Sequence, residues 1–496
     1  MPHFLSDDEL QRIKHAQSSA FRSPVPTQII SNGEFSPLPQ SPEQKQVEGR
    51  IKELADIQAK RQGMSRRRFL GTAAGMATAF MAMNEVFGPV FNVNQAEAAE
   101  PDRADARAAS LRDQFILDDQ THFVHDGFAH EELLGLGLFA AENWNPAMDK
   151  SKLSLASFKF ENYVREIFLN SDTKVALLSG APFDDPSWWL LPNEQIREAV
   201  DMINRVAGGR RMLGHFVITP RQDGWLDKVD QAIETMPPDS WKGYTIGDPL
   251  SATTRYPWRL DDEKLMYPFY EKAIKAGINT LCIHKGLMPA DYKESWKGVW
   301  EHNTHVDIAK AAKDWPQMNF VIYHGCLRPF LEKPDQTLAE FEETGNIDWS
   351  TQLAQIPAEH GVSNVYAELG TSFATCATAN PRLAAALVGT FIKGMGADHV
   401  VWGTDSVWYG SPQWQIEALR RLEIPDDMQA KHGFAPLGPA KGVVKSAIFG
   451  YNSANLYNVS PSAFANPLEE DKLAVLEREY RANGGFRNNA TYGYVA

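Results

Sequence analysis

Eight short apolar runs, each followed by a stretch of helical length, dominate the chain from about residue 111 onward. They fall at 115–119, 174–178, 212–217, 242–246, 279–284, 319–324, 364–368 and 399–404. Amphipathic segments such as 264–276 and 381–395 lie between them and read as crossover helices. Near-continuous apolar strands alternating with helices demand a parallel sheet covered on both faces. Eight such units over some 350 residues predict an α/β fold, a (β/α)₈ TIM barrel. No Gly-x-Gly-x-x-Gly follows the first strand, which removes the main support for a dinucleotide-binding sheet.

Polar residues stand where such a barrel builds its chemistry, at the C-terminal ends of the strands. His122 follows strand one, His284 ends strand five, His324 ends strand six and Asp405 ends strand eight. In Leu117-Asp118-Asp119-Gln120-Thr121-His122, period-two alternation puts Asp118, Gln120 and His122 on one face. Two imidazoles, a carboxylate and an amide oxygen around one point suit Zn²⁺ or a similar divalent ion. Water on such an ion ionises near neutral pH.

The remainder of the chain narrows the classes. A net charge of −14 excludes a nucleic-acid surface, which needs a basic stripe. Cys282, Cys326 and Cys376 form neither a disulfide framework nor a Cys-x-x-Cys site. Residues 1–63 are polar and rich in Pro, Ser and Gln, a composition that predicts disorder, with a short helix around 44–60. Ser65-Arg66-Arg67-Arg68-Phe69-Leu70, the modest apolar run 71–83 and Ala96-Glu97-Ala98 resemble a twin-arginine signal with its cleavage site. That resemblance implies passage through the twin-arginine translocase to the periplasm or the medium. The expected organisation is a disordered leader and signal over 1–98, the barrel over 99–460, and a C-terminal helix and tail over 461–496.

The barrel motifs resemble the amidohydrolase superfamily, in particular the amidohydrolase-2 branch with its aminocarboxymuconate-semialdehyde-type decarboxylases. The Ile-Asp-x-His-x-His of strand one corresponds to 117–122, and the strand-five histidine to Cys282-Ile283-His284-Lys285-Gly286. The later elements correspond to Ile322-Tyr323-His324-Gly325, Trp402-Gly403-Thr404-Asp405 and Gly450-Tyr451-Asn452-Ser453-Ala454-Asn455-Leu456-Tyr457. The resemblance implies one divalent metal, zinc by preference, on His122, His284 and Asp405. It implies His324, with Asp405, as the proton carrier, and it implies a homodimer. One position departs from the pattern: Gln120 stands where the first histidine belongs, as a weak ligand or as a donor to one. Asp118 would orient a ligand histidine.

Lys285 and Arg328 sit where either could grip a substrate carboxylate, or simply be solvated loop charges. Glu368, at the end of strand seven, faces the pocket or pairs with a cation. Trp408, with Trp188, Trp189 and Tyr409, would wall an apolar pocket or pack the loops. The expected function is an exported metal-dependent hydrolase of a small molecule, metal-activated water attacking an ester, lactone or amide carbonyl. A non-oxidative carboxy-lyase of the same family is the first alternative, and a metal-free exported binding protein the second.

Overall fold

The computed structural model describes residues 23–30, 32, 34, 39–135, 138, 142, 150–329, 331, 333–464 and 471–485. Eight parallel strands pair in sequence order: β1 Leu117–Thr121, β2 Val175–Leu178, β3 Met212–Val217, β4 Ser240–Tyr244, β5 Thr280–His284, β6 Asn319–Tyr323, β7 Val365–Glu368 and β8 Val400–Val401. The ring closes where the last strand meets the first. Asp119 N donates to Trp402 O (2.8 Å), Asp405 N to Gln120 O (2.9 Å) and His122 N to Ser406 O (2.6 Å). The expected barrel is therefore the observed one. All eight runs became strands, with boundaries displaced by up to a few residues. The largest difference is β8: its ladder stops after Val401 because the chain bends inward to deliver Asp405, whose φ is +56°.

The crossover helices bury their apolar faces against the barrel. Residues Asn193–Ala207 after β2, for example, seat Ile196, Val200 and Ile203 at helical spacing. Below the mouth the barrel interior is unusually polar, where branched apolar side chains normally fill the layers. Tyr323 OH donates to Asp119 O (2.5 Å) and lies 2.8 Å from His215 Nε2. Tyr457 OH, from the last motif, donates to Asp119 Oδ2 (3.1 Å), and Asn452 of that motif ties down Ala397 O and Val400 O. The three cysteines are free and buried.

The described part of the N-terminal region is folded rather than disordered. Helix α1, Pro42–Arg61, starts on a capping box at Ser41 and Gln44. Its buried Val47, Ile51, Ala55 and Ala59 recur every four residues, a stripe that the polar average composition concealed. It packs against α2, Ala73–Phe87, the apolar run of the signal-like segment. Gln44 Nε2 reaches the barrel at Thr378 O (2.9 Å). Residues 90–92 pair with 421–423, and Ala96-Glu97-Ala98 lies in the short helix Gln95–Ala99. Glu97 there is buried against Arg421.

At the other end, the helix Lys472–Ala482 docks through Leu473 and a buried Arg211–Asp471 pair of 2.8 Å. Of the helix and tail expected over 461–496, residues 465–470 and 486–496 lie outside the described residues. No described helix is long and apolar enough to cross a membrane. Ile51→Ala should cost about 2–5 kcal/mol by urea unfolding. An unchanged midpoint would mean that α1 is not packed in the barrel's cooperative unit.

Candidate metal and active site

His122, Gln120, His324 and Asp405 meet at the C-terminal mouth, in one cavity with Trp188, Trp408 and Tyr244. The local chain geometry that brings them there is costly. His324, Thr371 and Asp405 all hold φ between +54° and +60°, a region non-glycine residues enter at about 1–3 kcal/mol each. Gly325 follows with φ +53°, and any Cβ on it would come 2.4 Å from the Phe391 ring. The His-Gly pair therefore needs its glycine.

Each histidine is oriented by its other ring atoms or by its neighbours. His122 Nδ1 donates to Ser179 O (2.9 Å), leaving Nε2 facing Asp405 Oδ1 at 3.1 Å and the Gln120 amide at 3.4 Å. Its ring stacks on Trp408. His324 Nδ1 donates to Gly370 O (3.0 Å), so the buried Nε2 is a lone pair without a protein partner. Burial, then the neighbouring His284, pushes the His324 pKa down to about 4. His284 stacks on Tyr244 and stands edge-on to His324 with ring centres 4.7 Å apart.

The carboxylates divide by environment. Burial works against ionised Asp405, yet His122, then His324 and the Thr371 hydroxyl, hold its carboxyl far below the usual carboxylate range. Glu368 goes the other way: burial raises it well above its ordinary value although it accepts from His324 N (3.0 Å) and Gly370 N (2.5 Å). Among the described residues Glu368 pairs with no cation; it braces the backbone that aims His324. Asp118 accepts from Thr404 N (3.0 Å), Thr404 Oγ1 (2.5 Å) and Gln120 N (3.3 Å), fastening β1 to the turn carrying Asp405. An irregularity in β1 between Asp118 and Thr121 breaks the simple alternation, so Gln120 and His122 line the cavity while Asp118 does not.

Lys285 and Arg328 are placed away from the cavity. Buried Lys285 pairs with Asp307 (2.9 Å) and donates to His302 O, and Arg328 pairs with Asp348 (2.8 Å). Trp188 and Trp408 wall the cavity with Phe183 and Leu190. Trp189 instead donates to Phe183 O, and Tyr409 OH sits behind the site on Thr371.

Three participants were not foreseen. Thr371 bonds Asp405 directly. Asn32 and Glu34, from the N-terminal region, enter the mouth: Asn32 Nδ2 donates to Asp405 Oδ2 (3.1 Å), and Glu34 Oε1 lies 2.5 Å from His284 Nε2. Nothing in that Pro- and Ser-rich stretch signals a role. The residues fit a divalent ion. Ligand atoms of Glu34, His284 and His324 lie within 4.8 Å of one another, and His122 with Asp405 forms a second imidazole–carboxylate pair beside them. Gln120 Oε1 and His324 Nε2 are buried without partners.

Lys242, beneath the site, is buried with Nζ 3.3 Å over the Tyr323 ring, and burial lowers its pKa to about 7. Between about 7 and the ordinary lysine value of 10.5 only the unfolded chain carries this proton, so its contribution to stability rises with pH across that window. Lys242→Met should therefore stabilise the fold by about 1–4 kcal/mol at pH 6. The advantage should shrink as pH rises from 7 to 10, measured by urea unfolding; a pH-independent difference would refute the buried, displaced lysine.

Residues 248–459 match the amidohydrolase family model. No curated protein sequence matches the chain. Among solved structures, an uncharacterised TIM-barrel protein of Bordetella bronchiseptica shares 12% identity at a TM-score of 0.43, covering 71% of this chain and 99% of that one. A 2,6-dihydroxybenzoate decarboxylase from Rhizobium shares 11% at 0.41, covering 70% and 99%. A 4-oxalomesaconate hydratase from Rhodopseudomonas palustris shares 13% at 0.40, covering 74% and 99%. The matched segment, which holds β5 to β8 with His284, His324 and Asp405, is similar to the amidohydrolase family.

Proposed function

We propose that the protein is a metal-dependent hydrolase acting on an ester, lactone or amide of a small, largely apolar molecule. The observation that carries this reading is the state of His324. Its Nδ1 proton is committed to Gly370 O, and its Nε2 is an unprotonated base at neutral pH facing the cavity. His122, His284 and Asp405 would hold the ion, with the Gln120 oxygen at hand. The bound ion would polarise the substrate carbonyl and acidify its water.

His324 takes a proton from the attacking water and returns it to the leaving oxygen or nitrogen. Gly370 O and Glu368 keep its ring and backbone fixed through that exchange. Trp188, Trp408, Phe183 and Leu190 receive the apolar part of the substrate and exclude water.

A carboxy-lyase is the second reading, favoured by one observation: a carboxylate, that of Glu34, already rests against His284. That chemistry needs a proton delivered, whereas His324 has none to give at neutral pH. No Lys or Arg is among the described residues lining the cavity to grip a carboxylate substrate. Hydrolysis is therefore preferred.

The test is a panel of aryl esters, lactones and amides beside aromatic carboxylic acids, assayed with zinc- and manganese-loaded protein. Hydrolysis of the first group is expected. Release of carbon dioxide from the acids without any hydrolysis would overturn the reading. His324→Gln should lower kcat by about 10²–10⁴ while metal content stays at the parent level. His284→Ala should lose the metal. No stoichiometric metal in the parent protein, together with no effect of His284→Ala on any turnover, would leave only the metal-free binding protein.

A further inference from the structure

We propose that Glu34 is a ligand of the divalent ion, delivered to the barrel from the N-terminal segment more than eighty residues before β1. The inference rests on the reading of this mouth as a metal site. Glu34 lies outside every motif of the barrel, yet its carboxylate reaches His284 directly and Asp405 through Asn32. Oε1 lies 2.5 Å from His284 Nε2, and Oε2 accepts from Asn32 Nδ2 at 2.8 Å. The same Asn32 amide donates to Asp405 Oδ2, and Asn32 Oδ1 accepts from Glu34 N (3.1 Å). This turn aims the carboxylate inward while Asn32 holds the ligand aspartate.

The segment is anchored on the near side of that turn and again beyond it. Val25, Ile29 and Ile30 are buried in the main core. Thr27 Oγ1 donates to Glu48 Oε2 (3.1 Å), and Gln40 Nε2 donates to Thr27 O (3.0 Å) and Glu48 Oε2 (2.7 Å). Gln44 reaches Thr378 O from α1. Glu34 is thus placed by packing on either side of it.

Charge gives the reason. His122, His284 and Asp405 with a neutral Gln120 bring a single negative charge to a divalent ion. In a buried site an uncompensated charge is expensive, and a second carboxylate removes the excess. Glu34 supplies it where the strand-one motif offers only an amide. Asn32 and Glu34 line the cavity together with Gln120, His122, His324 and Asp405. The segment belongs to the wall of the site and not to its periphery.

The experiment uses the full-length chain, stripped by a chelator and titrated with Zn²⁺ against a chromophoric chelator, then with Co²⁺ followed by its visible spectrum. Glu34→Gln, which keeps shape and removes charge, should weaken Zn²⁺ binding about tenfold or more and alter the Co²⁺ bands. Glu34→Asp should recover part of both, and His284→Ala should abolish binding. If Glu34→Gln keeps the parent's affinity and spectrum while His284→Ala loses the metal, Glu34 is no ligand and the metal site stands without it. Higher turnover of Glu34→Gln at unchanged affinity would overturn the proposal in favour of a carboxylate that merely blocks the site. Undiminished binding in His284→Ala would overturn the metal site itself.

Discussion

Two backbone carbonyls, Ser179 O and Gly370 O, decide what the mouth of this barrel can do. A carbonyl only accepts, so each fixes a proton on the Nδ1 that faces it and leaves Nε2 as the free end of the ring. At His122 that end meets Asp405 and Gln120; at His324 it meets the cavity. Were either ring in the other tautomer, a lone pair would face a carbonyl and a proton would face Asp405 or the cavity. The loops after β2 and β7 thus set the proton position of each ring, rather than any difference between the histidines.

The surroundings maintain that separation at an energetic cost. Three residues around the site occupy left-handed backbone, and a glutamate whose pKa burial raises well above the ordinary value sits behind His324. Such positions persist only where neighbours over-determine them. Here the neighbours are Asp118 on Thr404, Thr371 on Asp405, and two glycines with no room for a Cβ: one on Gly403 would fall against the Glu368 carboxyl, and one on Gly325 against Phe391. The polar layer of Asp119, His215, Lys242, Tyr323 and Tyr457 below supplies rigidity through hydrogen bonds where most barrels use branched aliphatic packing.

The barrel was legible in the sequence because its signal is repeated eight times, and each strand-end histidine or aspartate inherits its place from the strand before it. What depends on side-chain direction was not legible. Lys285 follows His284 directly, yet strand alternation turns it out of the barrel to Asp307. Glu368 could be placed at a strand end but not assigned its backbone partners. Thr371 needed a turn conformation that no spacing announces. Glu34 was least accessible of all, since its role comes from a tertiary path across more than eighty residues and its neighbours have a composition that argues for disorder. The periodic Val47, Ile51 and Ala55 stripe of α1 was the one local clue that this region packs against something.

That packing is electrostatically committed as well as apolar. Arg421, fully buried on the helix Gln413–Arg421 after β8, bonds Glu97 and Asn92 O from the N-terminal region and Glu417 from its own helix, and it lies over the ring of Phe80. Arg107 closes the same network on Glu417 at 2.7 Å. Removing one partner from a buried pair costs about 3–5 kcal/mol, because the remaining charge is left in a dry site. A chain shortened to begin after Ala98 would lose Glu97, Asn92 and Phe80 together and leave Arg421 to Glu417 alone. The cost would fall on the helix that follows the Asp405 turn, so the N-terminal region bears on the site twice, through Glu34 at the mouth and through Arg421 behind it.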